Sequence, residues 1–82
     1  MYINSKQENS ERVRIAALTK RELEVIALIG EGLKNKQVAE KLLIKDVTVR
    51  HHLTSIYSKL NVSNRLELII YAYRHGLAQI PG

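Results

Sequence analysis

Apolar residues recur at helical spacing in several stretches of this chain, separated by residues that cap helices or make turns. The clearest stretch is Asp46 to Leu60, where Val49, Leu53, Ile56, Tyr57 and Leu60 follow at steps of four, three, one and three. That spacing lays them along one stripe of a helix. Val47, Arg50, His51, Thr54 and Ser58 share the other side, which holds no acid and no large hydrophobe apart from Val47. A helix held by one face and presenting an arginine, an imidazole and two hydroxyls on the other is suited to phosphates and base edges.

Upstream, Thr19 to Glu22 has the spacing of a capping box, in which hydroxyl and carboxylate satisfy free backbone donors reciprocally. It predicts a first helix over about Lys20 to Glu31, with Glu22, Val25, Ile26, Ile29 and then Leu33 on one face. Gly30 weakens its last turn, and Gly32 suits a left-handed cap. A short second helix, about Asn35 to Leu42, turns Val38, Ala39 and Leu42 inward and Lys36, Gln37, Glu40 and Lys41 outward. Ala39 is small enough for two helices to cross steeply over a tight turn. Leu43 to Lys45 link it to the Asp46 helix, with Asp46 as cap or first-turn acid. The pair reads as a helix-turn-helix.

A fourth helix is announced by Ser63 and Asn64, with Glu67 in its first turn and Arg74, His75 and Gly76 at its end. Its interior is apolar nearly all round. Leu68, Ile69 and Ala72 can face a core, which leaves Leu66, Ile70 and Tyr73 as a second stripe pointing away. Such a helix must be covered on both sides, and the expected second cover is another copy of the chain. The fold class is all-α, a four-helix bundle containing a helix-turn-helix. Residues 1–17 read as an N-terminal tail or linker whose last part, from Arg12, docks partly on the core, residues 18–77 as the domain, and 78–82 as a C-terminal tail.

Eighty-two residues make a single domain, and 45% hydrophobic content suffices for a core. With no Cys, disulfides, thiolate zinc sites and cysteine nucleophiles are excluded. His51 and His52 are neighbours in a helix, about 100° apart, so they do not chelate a metal together. No metal or cofactor is expected. The carboxylates are scattered over helix surfaces and caps, away from any paired nucleophile and base, so an enzyme is not expected. No apolar run approaches the roughly twenty residues of a membrane span, and the N-terminus lacks a signal core. A soluble, cytoplasmic protein is expected. The balance of 13 bases to 8 acids, formally +5, favours polyanions. From Lys34 to Lys59, six bases against two acids carry four of those five excess charges. The positive field is centred on the helix-turn-helix.

The chain resembles the LuxR-type (FixJ/NarL-type) helix-turn-helix family. The resemblance rests on Leu18-Thr19, Arg21-Glu22, Val25, Gly32-Leu33, Asn35-Lys36, Val38-Ala39, Leu42, Ile44, Thr48-Val49-Arg50, His52-Leu53, Ile56, Lys59-Leu60, Val62 and Arg65, and covers about Leu18 to Leu77. It implies a bundle whose third helix lies in the DNA major groove, and a dimer formed through the fourth helix at Leu66, Ile70 and Tyr73. Arg50 matches the base-contacting position, His51 and Thr54 match variable positions that tune preference, and Val47 can meet only a thymine methyl. Asn35, Lys36, Thr48, His52 and Lys59 match backbone-contact positions, and the Ser58 hydroxyl lies on the same outward face. Glu22 and Arg65 match an acid–base pair tying the first helix to the fourth.

Lys34 and Lys45 depart from the family pattern, which places serine or a similar cap there. A lysine accepts nothing from helix N-terminal amides and meets the positive end of the dipole, forfeiting about 0.5–2 kcal/mol each. Asn35 and Asp46 offer caps shifted by one residue, and two further phosphate contacts are the expected gain. The partners implied are double-stranded DNA, a second copy, RNA polymerase, and an N-terminal receiver or sensor domain if the chain is a fragment. The function expected is sequence-specific DNA binding by a bacterial transcription regulator, as the effector domain of a two-component response regulator. The competing readings are a promoter-recognition module resembling sigma region four, and a protein-interaction domain. Salt-steep duplex binding separates the last from the others.

Overall fold

The computed structural model describes residues 5–79, with side chains from Ser10 onward. Five helices follow in order: α1 (Ser5–Ala16), α2 (Lys20–Gly30), α3 (Asn35–Leu42), α4 (Asp46–Leu60) and α5 (Arg65–Arg74). Among the described residues there is no strand. Helices α2 to α5 are the four that the apolar periodicity predicts. Their inward faces meet in one core, with Val25, Ile26, Ile29, Val38, Val49, Ile56, Leu60 and Leu68 almost wholly enclosed.

Local chemistry ends all four of these helices and begins two of them, α2 and α5. At the start of α2, Thr19 Oγ1 accepts from the Glu22 amide at 3.1 Å while Glu22 Oε1 accepts from the Thr19 amide at 2.8 Å, completing the capping box. Asn64 caps α5 by accepting from the Glu67 amide, and Glu67 reaches back to the Ser63 amide. The C-termini share one device, a backbone bond from the residue five positions on: Leu33 to Leu28, Ile44 to Ala39, Val62 to Tyr57 and Leu77 to Ala72. All four donors belong to apolar residues packed against the core, so each stop is also a hydrophobic contact. Gly32 and Gly76 supply the positive φ at two of these stops, but Leu43 (φ 59) and Asn61 (φ 55) supply it at the other two.

Two expectations about the chain ends are corrected. Ser5–Ala16 is a helix, part of the stretch read as tail and lead-in. Its apolar periodicity is weak, and it is anchored by packing on α4, by Ile15 on the core, and by Glu11, which pairs with Arg14 inside the helix at 2.8 Å and whose Oε2 lies 3.5 Å from His75 Nε2. The Tyr71 hydroxyl beside it, with Arg14 and His75, holds the Glu11 carboxyl below its ordinary range despite burial. Burial and Glu11 together push the Tyr71 phenol upward. At the other end, Ala78, read as tail, is buried in the core. Residues 1–4 and 80–82 of the expected tails lie outside the described residues.

Gly30 explains the position of Ala78. A Cβ on Gly30 would come within 2.3 Å of the Ala78 Cβ, so the C-terminal segment closes on α2 only because residue 30 has no side chain. The Gly30 carbonyl also accepts from the Tyr73 hydroxyl. The glycine that weakens a helix turn locally is required by a close approach.

Candidate nucleic-acid interface

Helices α3 and α4 pack directly on each other, with Val38 and Ala39 buried on one side and Val49 and Leu53 on the other. That packing sets the rotation of α4 about its axis. Arg50, His51, Thr54 and Ser58 are exposed as a result, and Val47 is 42% exposed. Thr48 and His52 lie at the margin of this face, half-buried. The Thr54 hydroxyl donates to the Arg50 carbonyl at 3.1 Å. Its proton is thereby used inside the helix, so Thr54 offers outward a methyl group and acceptor lone pairs.

Four of the cations around this face are not held by carboxylates. Lys34, Lys36, Lys45 and Arg50 are exposed and make no ion pair among the described residues. Lys34 and Lys45 are themselves the N-cap residues of α3 and α4, in extended conformation and with no side-chain cap bond. The caps do not shift to Asn35 and Asp46. At α3 the lack is half repaired, since Gln37 Oε1 accepts from the Lys34 amide at 2.8 Å. The lysine ammonium has only donors and cannot complete the box.

Lys59 and the expected Glu22–Arg65 pair turn out otherwise. Lys59 Nζ lies 2.7 Å from Glu22 Oε1, so the last turn of α4 is tied to the first turn of α2. Burial pushes the Glu22 carboxyl up, but the Lys59 ammonium, the Thr19 amide and the Ser55 hydroxyl outweigh it and bring it down to about 2. Glu22 does not pair with Arg65. Its carboxylate is already engaged by Lys59 and Thr19, whereas the α2–α3 turn presents two acceptors that a guanidinium fork can span. Arg65 donates to the Leu33 carbonyl at 2.5 Å and to Asn35 Oδ1 at 2.8 Å. The charge types at positions 22, 59 and 65 are legible in sequence; which acid meets which base depends on helix crossing geometry.

Helix α5 exposes Leu66 (66%), Ile70 (45%) and Tyr73 (37%), with Leu68 and Ala72 buried beneath. The outward apolar stripe is therefore present, although the Tyr73 tip is bonded to Gly30. No group of His, Asp or Glu that could hold a metal ion occurs among the described residues. No helix among them is long and apolar enough to cross a membrane.

Comparison with known proteins agrees with this arrangement. The family model described as bacterial regulatory proteins, luxR family, matches residues 16–72. The chain is 51% identical over 61 residues to the transcriptional regulatory protein LiaR of Bacillus subtilis, covering 74% of this chain and 29% of that protein. It is 42% identical over 62 residues to the response regulator protein VraR of Staphylococcus aureus, covering 76% of this chain and 30% of that one. The solved structure of the response regulator StyR superposes with a TM-score of 0.76 at 37% identity, over 85% of this chain and 35% of that one. The chain thus spans less than a third of the length of these curated relatives. With the match running from the end of α1 through most of α5, the chain belongs to the LuxR family of bacterial regulatory proteins and carries that family's helix-turn-helix.

Proposed function

We propose that this chain binds double-stranded DNA in a sequence-specific manner, with α4 in the major groove, as the effector end of a two-component response regulator in the bacterial cytoplasm. The observation that carries the reading is the division of α4. Its apolar side is locked into the core, and Arg50, His51 and Thr54 stand exposed beside Lys34, Lys36 and Lys45, which make no ion pair among the described residues. Arg50 is suited to bidentate contact with guanine, Val47 to a thymine methyl, and Thr54 to a base amino group. Lys34, Asn35, Lys36, Lys45, Thr48, His52 and Ser58 surround that face as phosphate contacts. Lys59 is the weakest member of that set, since Glu22 holds its charge. A second copy covers Leu66, Ile70 and Tyr73, so that two recognition helices address two half-sites. A receiver domain on the N-terminal side and contact with RNA polymerase complete the proposed regulator.

In vitro selection of bound duplexes tests this directly, by yielding a motif and a half-site spacing. On the selected site, Arg50→Ala weakens discrimination by about 1–3 kcal/mol with the fold intact, and Lys36→Ala weakens binding to all sequences alike. Arg50→Ala binding as tightly as wild type removes the base-contact assignment. Wild type showing no salt-steep duplex binding removes the DNA reading.

A further inference from the structure

Arg65 braces the bundle through two bonds. Its guanidinium, at the start of α5, reaches across to the turn before α3 and donates to two oxygens at once, the Leu33 carbonyl and the Asn35 side-chain Oδ1. A guanidinium has five donors and no acceptor, so the Asn35 amide can meet it only through its oxygen. The amide orientation is thereby dictated by chemistry, independent of how similar the two ends of the group look. With Oδ1 turned toward Arg65, the Asn35 NH2 is turned away. Asn35 is the first residue of α3, half-buried, beside the exposed Lys34 and Lys36, which make no ion pair among the described residues.

We propose that Arg65 is a positioning residue for DNA binding: by holding Asn35 Oδ1 it aims the Asn35 NH2 as a donor at one backbone phosphate. The inference rests on the DNA-binding reading above and deepens it. The fork requires arginine, because the anchor to Leu33 fixes the turn while the second arm fixes the amide. A free asparagine in the same place would rotate between donor-out and acceptor-out states, and the second repels a phosphate. Arg65 removes that second state.

The test uses the full chain and its selected duplex, with single phosphates replaced in turn by uncharged methylphosphonates. In wild type, one replacement near the start of α3 weakens binding about ten- to a hundredfold, as expected for a lost bond to a charged group. Asn35→Asp keeps the oxygen for Arg65 and adds an acid at a helix N-terminus, so it folds at least as well. It nevertheless loses about ten- to a hundredfold in affinity for selected and random duplexes alike. Arg65→Ala removes the penalty at that single phosphate while the penalties at other phosphates persist. Combined with Asn35→Ala, it is no worse than the more damaging single variant. A bracing role alone would lower all phosphate penalties together. Three results overturn the proposal: Asn35→Asp binding like wild type, Arg65→Ala lowering every penalty equally, or the two alanine variants adding fully. Wild type that binds no duplex at all is a different failure, that of the DNA reading itself.

Discussion

Replacing Glu22 by glutamine removes one negative charge from a nearly buried site and changes the shape hardly at all. Glutamine retains an oxygen for the Thr19 amide, so the helix cap survives in part, but Lys59 loses its counter-charge. The folded carboxyl ionises at about 2 against an ordinary 4.5. A displacement of that size corresponds to about 3 kcal/mol of stabilisation when the group is charged. An 82-residue domain is stable by about 4–12 kcal/mol in total, so this one group carries a large share. Because the folded value lies below the unfolded one, the contribution is complete above about pH 5 and drains as pH falls toward about 2. Urea denaturation followed by far-ultraviolet circular dichroism, for wild type and Glu22→Gln over that range, is the assay. At neutral pH the variant is less stable by about 2–3 kcal/mol, equivalent to a melting point roughly 10–20 °C lower. The two stabilities converge in acid, where protonated glutamic acid and glutamine are alike. A neutral-pH difference below about 0.5 kcal/mol, or a gap that stays constant down to about pH 2, refutes the reasoning.

Three other substitutions test particular contacts. Gly30→Ala gains about 1 kcal/mol of helix propensity but drives a methyl into Ala78, at a cost of about 1–3 kcal/mol. It destabilises on balance, and adding Ala78→Gly restores the melting point; failure of that rescue places the strain elsewhere. Leu43→Asn relieves a left-handed leucine whose side chain is 91% exposed, raising stability by about 1 kcal/mol in calorimetry. Lys45→Ser supplies the missing cap of α4 and stabilises by about 0.5–2 kcal/mol. The same change lowers DNA affinity and reduces the salt slope by about 1, and an unaltered affinity ends the case for a phosphate contact there.

Much of this molecule is written locally. The Thr19 capping box, a cap at Ser63 or Asn64, and the apolar faces of α2 to α5 could be placed before any coordinates, because each depends on residues within a turn or two of one another. The same holds for the outward set Arg50, His51 and Thr54, since helical spacing alone separates it from Val49, Leu53 and Ile56. The first helix was missed for the corresponding reason. Most of its residues are good helix formers, with neither glycine nor proline, and Glu11 and Arg14 stand at pairing distance, but it lacks an apolar stripe. What holds it is packing on α4 and the contact of Glu11 with His75, all far along the chain.

Charge pairing followed the same division. An acid at position 22 and bases at 59 and 65, all near helix ends, are legible in the chain alone. Only the packed bundle decided that Glu22 takes Lys59, that Arg65 takes Asn35 and Leu33, and that Gly30 must admit Ala78. Helix propensity, capping and amphipathic spacing act over one or two turns, whereas these choices depend on the angles at which separate helices cross. Those angles are set by side-chain packing among residues distant in the chain, which no local pattern encodes.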